Sequence, residues 1–350
     1  MAATRTQIQA IDGDGHVLEN VARLIELLDE PYREFRSVPI ESSTLVPLDG
    51  VDRNLGNRLF KGKARTTQDW LEALDLGPMS ATVVYPTLGL FSGFVKDPDY
   101  QAALCRAYNS WLAEDICGPS GGRVLGVGLI PTHHEAEAER ELRRSKELGM
   151  VGAMLPADGT HLWGHRRFDG MYAAAAELDF PIAIHASGST NAPGAEIFPK
   201  FIQAHSVANP YGILRHFTSM MFEGVFDRFP TVRFGFLETG ATWVPWWLDR
   251  LDEEFENRGA EDAPLLENPP STYVHQGGNI FFGCEANERL LPQTLDIIGD
   301  DVVMYASDYP HWDCDYPASL HTMQSRPDLT EQQRHGVLRG AAERFYGLTA

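Results

Sequence analysis

Residues 232–238 read VRFGFLE, an apolar run closed by a carboxylate, and a helix-like segment at 243–256 follows at once. The run is a continuous apolar stretch rather than an alternating one, which is the pattern of a strand buried on both faces. Working outward, the same arrangement recurs. IQAID (8–12) precedes Asp14 and His16, PIAIH (181–185) ends on His185, and VVMYAS (302–307) precedes Asp308. Side chains at the carboxyl ends of different strands converge on one point in the (β/α)8 barrel.

Eight strand-like runs support that architecture: 7–12, 80–85, 123–130, 151–155, 181–185, 232–238, 279–284 and 302–306. Helix-like segments lie between them, at 18–29, 99–116, 134–148, 168–178, 206–228, 243–256, 286–298 and 330–345. Eightfold βα alternation predicts an α/β fold, a closed parallel TIM barrel. An open doubly wound sheet has no need for functional groups after so many strands. With no repeat, low-complexity tract or Gly/Ser linker, residues 1–350 are expected to be a single domain, with 31–78 inserted between the first helix and the second strand.

The 49 acidic against 29 basic residues give a formal charge of -20, which argues against nucleic acid or an anionic membrane as a partner. Four cysteines without CxxC spacing, no basic-then-apolar leader and no bilayer-length apolar stretch predict reduced thiols in a cytoplasmic protein.

In IDGDGHVLE (11–19), Asp12, Asp14 and His16 share one face if the extended conformation persists. Taken alone, the motif reads as an Asp-Gly turn, His185 as a hydrogen-bonded core histidine, and Asp308 as part of the Tyr309-Pro310 turn. All four at one end of a predicted barrel point instead to a metal site, because the separate explanations would have to coincide four times.

The chain resembles the amidohydrolase-related, metal-dependent TIM-barrel family that includes aromatic and picolinic-type decarboxylases. The likeness runs almost end to end, through IDGDGH, GMVGAMLP, IAIHASG, GVFDRFPTVRFGFLETGATWVPWWLDRLD and ASDYPHWD. It implies Asp14, His16, His185 and Asp308 as metal ligands. Two departures stand out. The family's HxH becomes Asp14-Gly15-His16, and Glu238 stands where decarboxylating and hydrolytic members usually carry a catalytic His.

Asp14, Glu238, Asp308 and Glu285 would supply up to four carboxylates, an excess for one divalent ion that a second would balance. Oxygen donors with imidazoles from His16, His185 and His311 suit iron or manganese. The LETGATWVPWW segment resembles a group of TIM-barrel non-heme di-iron monooxygenases that includes a diterpenoid hydroxylase. That likeness implies two irons, dioxygen as co-substrate, and hydroxylation of a bulky hydrophobic, CoA-linked compound of secondary metabolism. The alternative is a mononuclear Zn or Mn hydrolase or decarboxylase with Glu238 or His311 as catalytic proton shuttle. For Glu238 the competing role is a salt bridge with Arg250 or Arg233.

Trp243 and Trp312 follow candidate ligands and would wall a bulky apolar pocket, although Trp243, Trp246 and Trp247 also read as one helix face packing on the barrel. In the insertion, Arg53, Arg58, Lys61, Lys63 and Arg65 reverse the local charge; Lys61 and Lys63 are expected either to anchor the phosphates of an acyl-CoA or to lie in a solvated loop. A small-molecule substrate and a homodimer complete the expected partners.

Overall fold

The computed structural model describes residues 7–35, 60–159, 161–187 and 192–348. Eight parallel strands follow one another in chain order: β1 (Ala10–Val17), β2 (Met79–Pro86), β3 (Val124–Leu129), β4 (Gly152–Pro156), β5 (Ile182–His185), β6 (Phe234–Leu237), β7 (Ile280–Cys284) and β8 (Val303–Tyr305). Helices alternate with them, making the (β/α)8 barrel expected from the sequence. The strands are short and almost wholly buried, as a wall covered on both sides requires.

Helices close on this wall through apolar stripes and small residues. Glu135–Glu147 buries Ala138, Leu142 and Ser145, with glutamates in its first turn and Arg144 and Lys146 in its last, complementing the helix dipole. Gly128 makes its close approach possible, since a Cβ there would lie 2.1 Å from Ser145 Oγ. The basic run on this helix is ion-paired, Arg140 with Glu137, Arg143 with Glu139 and Arg144 with Glu141.

Between β8 and β1 no ladder forms among the described residues. Two backbone bonds bridge the gap, Asp308 N–H to Asp14 O at 2.9 Å and His16 N–H to Tyr309 O at 2.8 Å. The Asp12 carboxylate completes the seam. It accepts from Ser307 N–H (2.9 Å), Ser307 Oγ–H (2.6 Å) and, across β2, Thr82 Oγ1–H (3.0 Å). Barrel closure therefore runs through the strand ends that carry the candidate ligands.

β1 reaches further than the sequence suggested, to Val17 rather than residue 12, so Asp14 and His16 lie inside the strand. Its pairing with β2 slips between Asp12 and Gly15. Such a bulge re-aims side chains. Residues 36–59 of the expected insertion, with Arg53 and Arg58, lie outside the described residues. Its end docks on the β8 loop: Lys61 N–H bonds Pro310 O, and Phe60 bridges His311.

The long helix Phe201–Phe222 crosses the loops after β4 and β5 and is pinned there by His216. This fully buried ring donates from Nε2 to Ala157 O (2.8 Å) and accepts Trp163 N–H at Nδ1 (3.4 Å), which requires the neutral form. Burial, with Arg215 beside it, pushes its pKa down from 6.5 to about 3. Below pH 6.5 the unfolded chain takes up a proton that the folded one refuses, so stability is lost as pH falls from 6.5 towards 3. We expect His216→Gln to unfold more easily at neutral pH by about 1–3 kcal/mol. Its unfolding free energy should then fall less steeply with acid, by up to ~1.4 kcal/mol per pH unit, in denaturant melts between about pH 6 and pH 4. Equal slopes in both proteins would refute this role.

Candidate metal centre

Six side chains converge at the carboxyl end of the barrel. His16, Glu238, Asp308 and His311 form one group, and Asp14, His16 and His185 another; the donor atoms within each lie within 4.8 Å of one another. Asp14, His16 and His185 are at most 1% exposed. Glu238 and Asp308, just past β6 and β8, adopt left-handed φ angles of 65° and 52°. Carboxylate residues seldom pay the cost of that conformation, about 1–2 kcal/mol, without a use for it.

The hydrogen-bond network fixes the tautomers of both central imidazoles. His16 Nδ1–H donates to Pro86 O (2.9 Å) and His185 Nδ1–H to Ala186 O (2.6 Å). In a neutral ring each Nε2 then presents a lone pair. His185 Nε2 faces Asp14 Oδ1 at 3.0 Å, and His16 Nε2 faces Asp308 Oδ1 at 3.2 Å and Asp14 Oδ1 at 3.6 Å. Burial, reinforced by neighbouring His311, pushes the His16 pKa down to about 4, so no proton fills that gap at neutral pH. His16 Nε2 is a buried atom without a hydrogen-bond partner. Lone pairs on nitrogen and carboxylate oxygen turned towards one another are stable around a cation, and carbonyls that orient ligating imidazoles are usual behind metal ligands. The residues present fit a divalent ion.

His311 plays a different part. Its Nδ1–H donates to Asp308 Oδ1 (2.7 Å), its Nε2 meets Thr87 Oγ1 (3.1 Å), and its ring stacks on His16 with centroids 3.9 Å apart. Both ring nitrogens have partners here, so His311 orients Asp308, and it stands with His16, Glu238 and Asp308 in one of the two donor groups. Glu238 has neither arginine partner that the sequence offered. Arg250 pairs with Glu253 and Glu254, and Arg233 with Asp179. Glu238 Oε2 lies 3.0 Å from His185 Nδ1 and 3.8 Å from His16 Nε2, buried and without a hydrogen bond.

Glu285 does not join this group. Its side chain is exposed on the cavity wall, because neighbouring Glu288 takes the inward place and caps the N–H groups of Ala241, Thr242 and Glu285. Without Glu285 the carboxylate excess that suggested a second ion shrinks.

Over the centre lies a cavity of about 240 Å³ lined by Asp14, Glu238 and Asp308 together with Glu285, Asn209 and Asp313. The four residues expected to bind substrate are not among the described lining residues. Trp243 packs edge-on against Phe217 and Phe282 and donates Nε1–H to Gly240 O. Trp312 meets Phe201 and His205 edge-on. Lys61 Nζ–H donates to Cys314 O (2.7 Å), and Lys63 is tied through its N–H to Tyr309 OH. The sequence reading missed Asn209, Thr239 and Asp313. Thr239 and Asp313 sat inside the quoted motifs, whereas nothing marked Asn209, which a long helix carries over the mouth.

Gly15 sits between Asp14 and His16, where a Cβ would lie 2.7 Å from both Thr82 Oγ1 and Trp70 Cη2. Gly15→Ala should therefore push β1 off the centre and weaken manganese binding about 10- to 100-fold, read by equilibrium dialysis. Affinity equal to the unaltered protein would show that the strand has room.

Such a barrel, with carboxylates and imidazoles gathered at the carboxyl ends of its strands, is a TIM-barrel enzyme scaffold with a candidate metal site. The chain belongs to the amidohydrolase family, whose model matches residues 65–348. A decarboxylase of Emericella nidulans is 29% identical over 262 residues, covering 69% of this chain and 72% of that protein. The 2-amino-3-carboxymuconate-6-semialdehyde decarboxylase of Dictyostelium discoideum is 24% identical over 272 residues, 76% of this chain and 72% of its own. Among solved structures, a 5-carboxyvanillate decarboxylase of Novosphingobium aromaticivorans, with bound manganese and 3-methoxy-4-hydroxy-5-nitrobenzoic acid, superposes with TM-score 0.74 at 19% identity over 97% of both chains.

These relatives overturn the reading as a di-iron monooxygenase. Oxidoreductase chemistry, iron and dioxygen fall with it. The bulky CoA-linked substrate falls too, since the cavity is small and Lys61 is committed to a carbonyl. All four cysteines are free, and no helix among the described residues is long and apolar enough to cross a membrane.

Proposed function

We propose that this chain is a manganese-dependent decarboxylase of a small, hydroxylated carboxylic acid. Asp14, His16, His185 and Asp308 would hold the ion. Once bound, it would supply Lewis acidity that withdraws charge from a substrate oxygen. Glu238 is the general acid, and its buried, arginine-free carboxyl at the mouth of the donor cage is the observation that carries this reading. Burial, with Asp308 and Asp14 close by, pushes its pKa well above the usual carboxylate range.

Decarboxylation breaks the bond between the substrate carbon and its carboxylate, leaving the electron pair on that carbon. Glu238 delivers its proton there as neutral CO2 departs, and solvent at the cavity mouth restores the proton. The cavity volume of about 240 Å³ suits a single ring. Manganese-loaded protein should release CO2 from one or more members of a hydroxybenzoic acid panel, at the same rate with and without oxygen. No CO2 from any member, with manganese bound, would reject this reading.

A further inference from the structure

We propose that the cavity selects a substrate with one anionic group and an uncharged, hydrogen-bonding remainder, and that Glu285 and Asp313 reject a second anionic group. This deepens the decarboxylase reading and rests on it. Among the described residues lining the cavity, five are carboxylates (Asp14, Glu238, Glu285, Asp308 and Asp313) and none is lysine or arginine. Three described bases are committed to other partners. Lys61 holds Cys314 O, Arg215 holds Ala157 O, and Arg326 holds Asp328 and the carbonyls of Ala286 and Glu288.

A divalent ion held there would offset Asp14 and Asp308 and could take one substrate carboxylate. A second anionic group would land beside Glu285 and Asp313, with no lysine or arginine among the described lining residues to offset it. The same wall offers neutral contacts. Asn209 Oδ1 and Thr239 Oγ1 are buried there without hydrogen-bond partners, placed to meet a hydroxyl of the substrate.

The test is calorimetric titration of the manganese-loaded full chain with 2-hydroxybenzoate and with 4-hydroxybenzene-1,3-dicarboxylate, at about 0.1 M salt. The monoacid should bind about tenfold more tightly or better. Glu285→Lys, an exposed position that folding tolerates, should bring the ratio below about threefold by tightening the diacid. Equal or tighter binding of the diacid to the unaltered protein, an unchanged ratio in Glu285→Lys, or no binding of the monoacid would each overturn the proposal. Because calorimetry reads no CO2, selective binding without turnover would retire the decarboxylase reading alone. Turnover with equal affinities would retire only the selectivity.

Discussion

Asp308→Asn should abolish tight manganese binding and, with it, turnover. Asp308 receives the His311 proton and faces the lone pair of His16, so its charge is what a cation between them would meet. Asparagine tolerates the φ of 52° nearly as well as aspartate, and its amide oxygen can still accept from His311, so the fold should survive. A Lewis-acid centre contributes several kcal/mol to the barrier. Losing about 4 kcal/mol would slow the reaction on the order of 10³-fold. Two measurements check this, manganese content after dialysis and the rise in Tm on adding manganese. The unaltered protein should gain ~2.7 kcal/mol at a hundred times Kd. Undiminished metal content in Asp308→Asn would remove Asp308 from the ligand set.

The second large effect concerns Glu238→Gln, which keeps the size and hydrogen-bonding capacity of the side chain but cannot give up a proton as an acid. Turnover should drop about 10²- to 10⁴-fold, the usual worth of a positioned general acid. Manganese affinity should change little. The split between the two readouts is what matters: loss of metal together with activity would make Glu238 a ligand, and retained activity would place the proton source elsewhere. Asp308→Asn and Glu238→Gln thus separate two carboxylates that distance alone groups together.

Much of this architecture was legible because buried parallel strands leave an unmistakable mark, a continuous apolar run such as VRFGFLE or PIAIH ending on a polar residue. The ends of β1, β5, β6 and β8, which carry the candidate site residues, stood out by that mark. The extent of β1 did not, because Asp-Gly-Asp-Gly has turn chemistry and only its pairing with β2 keeps it extended. The expected helix 206–228 begins at residue 201 and breaks at Gly224, whose φ of 63° starts a short separate turn.

The pocket was least legible. Trp243 and Trp312 have the composition of a substrate wall, but orientation around a helix or loop decides what an aromatic ring touches, and here they touch other rings. Glu285 ends its strand as a ligand would, yet three backbone N–H groups favour Glu288 in the inward place. Overcounting the carboxylates led directly to the second ion and from there to oxygen chemistry.

The seam joining Asp12 to Ser307 spans 295 positions of sequence. Its partners emerge at opposite stages of synthesis, so a growing polypeptide owns no working centre until translation has passed the eighth strand. Contacts between such distant partners form late and slowly. A nascent chain stalled before residue 308 would be catalytically silent, however well its first seven strands had folded.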